Sequence, residues 1–265
     1  MSFSPAQFEA TLRDIESGMA TFSANLGKIP AAAQKATDQW FITDAAAEAI
    51  TWLATRTVEI GQDILNWFID LLKGAVAPIY MAMDSWQWMN IRGEVNEISA
   101  NLTHQNLSID ESDWSGKARD AYGTAVGAQS AAAARVGAIA TSTSINLLAC
   151  AVAGAAFYVV LAGVLVKLIA ATVTIIAAYA SAAFSWAGAA LMLEEAGVNT
   201  AVIMTALGTL TTFLGAQTTA MIMLHGDAVD PASFPNGVWP MANSSQYSDA
   251  TVKDGDADWS LMKKD

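Results

Sequence analysis

The chain has 265 residues, room for one large domain or two small ones. Hydrophobic residues make up 54% and charged residues 14%, against roughly 45–50% and about 25% in typical soluble domains, a shift towards membrane association. A net charge of −12, with only Lys253, Lys263 and Lys264 as basic residues after Lys167, leaves no basic patch to displace counterions from a nucleic acid, and a single cysteine, Cys150, leaves no intrachain disulfide.

The first residues, Met-Ser-Phe-Ser-Pro-Ala-Gln-Phe, lack the basic and apolar regions of a secretory signal, so no cleaved signal peptide is expected. The first helix opens with Ser4 as cap, Pro5 at the first helical position and Gln7 placed for a capping box. Phe8, Leu12, Ile15, Met19, Phe22, Leu26 and Ile29 then recur at alternating spacings of four and three, a coiled-coil seam, with Glu9, Arg13 and Glu16 on the other faces. Pro30 is expected to interrupt it. A second helix is expected over about 31–77, with Ile42, Ala49, Leu53, Ile60, Ile64, Trp67 and Leu71 on or near one face, ending in a kink or break at Pro78. A third, roughly 79–103, is aromatic at its start (Trp86, Trp88) and regains the seam at Ile91, Val95, Ile98 and Leu102. No alternating strand pattern occurs, so the expected fold is all-α, with long helices in coiled-coil-like packing.

Residues 104–113 are polar (Asn106, Ser108, Asp110, Ser112) and read as a loop. Helix resumes at Lys117 with a stripe of Ala118, Ala121, Ala125, Ala128, Ala132, Val136 and Ile139 that permits close helix approach. From Ile145 the character changes. Between Arg135 and Asp227 the ionisable side chains expected to be charged are Lys167, Glu194 and Glu195. They divide three apolar runs, 145–166, 168–193 and 198–224; the first is about 33 Å long as a helix, against a bilayer core of about 30 Å. Glu194 to Asn199 reads as a hairpin turn, whereas Lys167 has no Gly or Pro beside it. The first two runs are therefore either separate helices or one continuous helix of about 73 Å. Membrane insertion and the buried core of a helical bundle both stay open, and the small residues Gly154, Ala155, Ala162 and Gly163 suit either. After Asp227 comes a Pro-, Ser- and Asp-rich tail in which Phe234, Trp239, Tyr247 and Trp259 are candidates for docking on a helical surface. The expected organisation is a helical hairpin or bundle over 1–144, a hydrophobic helical segment over 145–226 and an acidic extended tail over 227–265.

Enzyme signatures are missing. His104 and His225 are isolated, and no nucleophile elbow, P-loop or dinucleotide fingerprint occurs. Asp254, Asp256, Asp258 and Asp265 imitate a calcium loop, but Trp259 stands where that loop requires glycine. No catalytic residue, cofactor or metal is expected. Cys150 lies in an apolar run and reads as a small buried hydrophobe.

The motif that stands out is Trp114-Ser115-Gly116. Nine tryptophans and 18 glycines in 265 residues give about 0.6 W-x-G matches by chance, and the chain has two, the second being Trp186-Ala187-Gly188. Only the first has a tyrosine, Tyr122, eight residues after its tryptophan, which lowers the chance expectation to about 0.01. It also lies in the polar break between two helices, where glycine allows a tight reversal and tryptophan can clamp the flanking helices.

At Trp114, Gly116 and Tyr122, with Ala121 also agreeing, the chain resembles the WXG family, small helical-hairpin proteins exported by the type VII (ESX) secretion systems of actinobacteria and related bacteria. The resemblance covers about residues 79–145. It implies a helix–turn–helix hairpin with its turn at 114–116, hetero- or homodimeric pairing with a helical partner, and export without a cleaved signal peptide. Family hairpins are about a hundred residues in all, whereas here the W-x-G follows more than a hundred. The family export signal, tyrosine followed four later by an acid, is matched by Tyr80 and Asp84, which precede the W-x-G instead of following the second helix; otherwise a partner carries the signal. The expected function is a type VII secretion substrate whose hairpin delivers a membrane-inserting, pore-forming segment, interacting with the secretion machinery and a membrane, and placed outside the cell or in its envelope. The alternatives are a soluble structural or chaperone-like helical partner in a secretion complex, and an ordinary integral membrane protein.

Overall fold

The computed structural model describes residues 3–110, 112, 114–180 and 186–241, with 186–200 described by backbone alone. The described residues form α-helices and no strand: α1 (Pro5–Leu26), α2 (Ile29–Thr37), α3 (Asp44–Leu72), α4 (Ala77–Asn101), α5 (Lys117–Ala180) and α6 (Trp186–Ala228), then one 3-10 turn, Pro235–Gly237. The fold is all-α.

Local chemistry sets the helix ends. Ser4 is extended, and its hydroxyl accepts from the Gln7 amide at 3.4 Å, with Pro5 in the first turn. The chain leaves α1 at Gly27 and Lys28, so the interruption comes before Pro30; Pro30 instead occupies the first turn of α2, where its missing N–H costs nothing. The segment expected as one helix over 31–77 is two. Thr43 is extended and accepts from the Ala46 amide at 3.3 Å, while Asp44 adds an acid to the first turn of α3; together they stop the chain from running through. Pro78 likewise sits in the first turn of α4, and the chain turns just before it, where the Lys73 and Gly74 amides bond back to Asp70 and Leu71.

Two compact units form: Met1–Ala82 with Leu148–Ala216, and Met83–Leu147 with Gln217–Asp265. The expected change of character at Ile145 thus falls three residues before Leu148, where α5 passes from one unit to the other.

In the first unit the α1 seam faces the core. Phe8, Ile15, Phe22 and Leu26 are buried and Leu12 and Met19 half-buried. Helix α3 runs antiparallel to it, with Leu26 over Gly61, while Met19 and Ala20 share a groove with Leu65 and Ile69. The helices approach closely there: a Cβ at Gly61 would collide with the Leu26 side chain, which would have to shift. The face of α3 that is buried is Ile50, Leu53, Ala54, Thr57, Gly61 and Phe68, with the expected Ile64, Trp67 and Leu71 half-buried beside it. The second part of α5 lies parallel to α1. Tyr158 meets Phe8 at 5.5 Å between ring centroids, Leu165 lies against Gly18, and the Asn25 amide donates to the Thr172 hydroxyl at 3.3 Å. Leu161, Leu165 and Leu168 are fully buried, and the Tyr158 hydroxyl donates to the Leu71 carbonyl at 2.8 Å. Ile203 of α6 is buried on the same core, with Ala206, Leu207 and Leu210 half-buried beside it.

In the second unit, α4 and the first part of α5 run antiparallel. Ser85 pairs with Ser144 at 3.0 Å, and the Ser99 and Ser130 hydroxyls each donate to the other's carbonyl at 3.0 and 2.9 Å. The contact is small and polar: Gly137 receives the Asn96 side chain, and Ala132, Ala133 and Ala140 are fully buried. The seam expected at Ile91, Val95, Ile98 and Leu102 does not make this contact as a row; Ile91 and Ile98 are exposed and only Val95 lies near Gly137. The alanine stripe is divided too. Ala132 is buried, whereas Ala121, Ala125 and Ala128 line a groove with Pro235, Val238, Trp239 and Pro240. The chain after α6 therefore lies along α5, fixed by Gln129 donating to the Pro240 carbonyl at 2.9 Å and by buried Phe234. Tyr247 and Trp259 lie outside the described residues.

Two further expectations are settled by backbone alone. Lys167 makes no turn: α5 runs through it as far as Ala180, while residues 186–193 of the second apolar run belong to α6 and 181–185 lie outside the described residues. The hairpin turn expected from Glu194 to Asn199 is absent, since α6 runs unbroken through it; glutamate and alanine are good helix formers, and one glycine does not break a long helix.

Candidate functional site

The loop between α4 and α5 is built from its own polar side chains. The Thr103 hydroxyl accepts from the Asn106 amide at 3.2 Å, and the Asn106 side chain donates to the Ala100 carbonyl at 2.9 Å, which turns the chain off α4. Ser108 has φ 51° and the Ile109 amide bonds to the His104 carbonyl, which places Ile109 in a buried position. Arg119, in the first turn of α5, donates through Nε to the Ile109 carbonyl at 2.9 Å and pairs with Asp120 at 3.2 Å.

Trp114 follows, its amide bonded to the Asp110 carbonyl at 3.0 Å. Gly116 has φ +107° and offers its carbonyl to the Asp120 amide at 3.2 Å, the first bond of α5. A residue with a Cβ is strained at that φ, so glycine has a backbone reason to be there. Five residues into α5, the Tyr122 ring meets the Trp114 ring, with centroids 5.9 Å apart and planes at 46°. Trp114 is 41% exposed and Tyr122 39%, so the pair ties the loop to the helix and still offers ring surface outward. Trp114, Gly116 and Tyr122 therefore stand together in one place.

Tyr80 and Asp84 lie one turn apart on α4, both exposed. Tyr80 belongs to the first unit and the Trp114 cluster to the second. His104 packs by its imidazole over Gly123, where a Cβ would lie 3.2 Å from Nε2. Sequence reasoning passed over that contact, although a glycine inside a helix is itself a sign of close approach. His225 is in the last turn of α6, and Cys150 is a buried free thiol. Among the described residues no three His, Cys, Asp or Glu gather to hold a metal ion, and Asp254, Asp256, Asp258 and Asp265 lie outside them.

Among the described residues three helical stretches are long and apolar enough to cross a membrane: Asp44–Asn101, Lys117–Ala180 and Ala201–Ala228. The first contains the turn at 73–76, so it is two helices. Of the most apolar part of each, 33% is buried in α5 and 6% in α6. Comparison with protein-family models, with curated proteins and with solved structures finds no match to this chain.

Proposed function

We propose that the chain is an exported substrate of a type VII (ESX) secretion system, a WXG-like helical hairpin carrying apolar helices that act at a membrane. The observation that carries this reading is the Trp114–Tyr122 ring contact beside the positive-φ Gly116. These are the residues that bear the resemblance, and they form one structural device at the junction of two antiparallel helical segments. Tyr80 and Asp84, exposed on α4, are available to the export machinery.

In the folded form one apolar run is shielded from water. The seam of α1 covers the apolar run of α5, while Glu9, Arg13 and Glu16 are exposed on its outer side. Those carboxylates and that guanidinium do not enter hydrocarbon at tolerable cost, so α1 stays at the aqueous side when any apolar helix inserts. The hairpin serves delivery and partner pairing, and the apolar helices the action at the membrane.

A second reading, a soluble helical partner in a secretion complex, is favoured by one observation: Leu161, Leu165 and Leu168, in the most hydrophobic run, already lie buried against α1. The two readings divide on vesicle flotation. The hairpin assignment is tested by Trp114→Ala and Gly116→Ala in an expressing strain. Loss of partner pairing and of release supports it, and full retention of both in each variant rejects it.

A further inference from the structure

Resting on the membrane reading above, we infer that α6, over residues 201–224, is the helix that enters a lipid bilayer, while the 148–180 part of α5 remains packed on α1 and α3.

Four observations set α6 apart. Its length fits: residues 201–224 span about 36 Å as a helix, sufficient for a hydrocarbon core of about 30 Å with some tilt. They contain no Asp, Glu, Lys or Arg. The helix is almost uncovered, 6% buried against 33% for α5, whose Leu161, Leu165 and Leu168 have partners. Finally, four of its threonine hydroxyls are satisfied within the helix. Thr205 donates to the Ala201 carbonyl at 2.8 Å, and Thr209, Thr211 and Thr212 donate to the carbonyls four residues before them at 2.9 Å. A threonine bonded this way carries no unmet donor into lipid.

The occupant follows from how the exposed apolar residues are distributed. Val202, Met204, Leu214, Met221, Ile222 and Met223 are exposed, and at about 100° per residue they fall all round the helix; Leu214 and Met221 share the azimuth of buried Ile203 farther along the axis. A protein groove takes one stripe of a helix. An apolar surface that continues round the helix fits a solvent that is itself apolar on every side, namely lipid chains. Gln217 is the polar exception, and its Oε1 is already without a hydrogen-bond partner in the folded chain, so transfer forfeits no bond there.

The test uses the full-length chain and phosphatidylcholine vesicles, read by flotation. Thr212 is exposed near the middle of the span and Val166 is exposed on α5, so neither substitution disturbs a packed core. Thr212→Asp is expected to lower the vesicle-bound to free ratio on the order of 100-fold, and Thr212→Val and Val166→Asp to leave it within twofold of the parent. A dye attached at Met223→Cys in a Cys150→Ala background supplies a readout independent of the charged variant. Its emission is expected to shift to the blue on vesicles, whereas a dye at Val166→Cys keeps its aqueous emission. Flotation of Thr212→Asp like the parent, or an equal loss in Val166→Asp, overturns the assignment to α6. If the parent chain itself does not float, the membrane reading fails and this one with it.

Discussion

The indole of Trp114 and the phenol ring of Tyr122 lie 5.9 Å apart on either side of Gly116, whose φ of +107° lets the loop fold back onto the first turns of α5. An aromatic pair of this kind is worth about 0.5–1.5 kcal/mol beyond its buried area. A double-mutant cycle with Trp114→Ala and Tyr122→Ala should show a coupling of that size in denaturant melts. Strict additivity would mean that the rings are neighbours without being partners.

Backbone conformation separates two glycines at helix ends. Gly116→Ala should cost about 1–2 kcal/mol, because nothing crowds the site and the whole penalty is the positive φ. Gly27, at the end of α1, has φ −63°, and a Cβ there meets its nearest neighbour, the Ala24 carbonyl oxygen, at 3.6 Å. Gly27→Ala should be neutral or stabilise by up to about 1 kcal/mol, through the unfolded chain. Equal effects at the two positions in thermal melts would count against the turn geometry at Gly116.

Close approach of α1 and α3 depends on Gly61. Gly61→Ala pushes on the Leu26 side chain and should destabilise by about 1–3 kcal/mol. In that background Leu26→Ala should cost less than it does alone, since it removes the collision along with the contact. Additive losses would place Leu26 elsewhere.

The pairing of α1 with α5 has a polar marker. The Thr172 hydroxyl accepts from buried Asn25 and donates to the Ile169 carbonyl at 2.7 Å. Thr172→Val keeps the shape and strands the Asn25 amide, an expected loss of about 1–3 kcal/mol by chemical denaturation. Thr174→Val, on the exposed side of the same helix, should change little. If Thr172→Val is as silent as Thr174→Val, α5 does not pack on α1 in solution.

Much of the first unit was legible in the sequence because one rule dominates there. Ser4 and Pro5 mark a helix start, and the residues from Phe8 to Leu26 bury a single apolar row. The break between α2 and α3 was less visible, since Thr43 and Asp44 form a cap inside a stretch where Ile42 continues an apolar spacing. Hydrophobic periodicity fails altogether between α4 and α5, where Ser85–Ser144 and Ser99–Ser130 make the contact and Ile91 and Ile98 point away. Small polar packing leaves no apolar period to read. At the site, Trp114, Gly116 and Tyr122 could be picked out by spacing, whereas Arg119 on the Ile109 carbonyl and His104 over Gly123 depend on a loop fold that spacing does not encode.

The most direct measurement of the export claim is the amount of full-length chain in the culture filtrate of a producing strain, compared with the same strain lacking its type VII secretion ATPase. The chain is expected in the first filtrate and, in the second, retained in the cells. Equal release from both strains would contradict the account, whatever the Trp114–Tyr122 contact contributes to the fold.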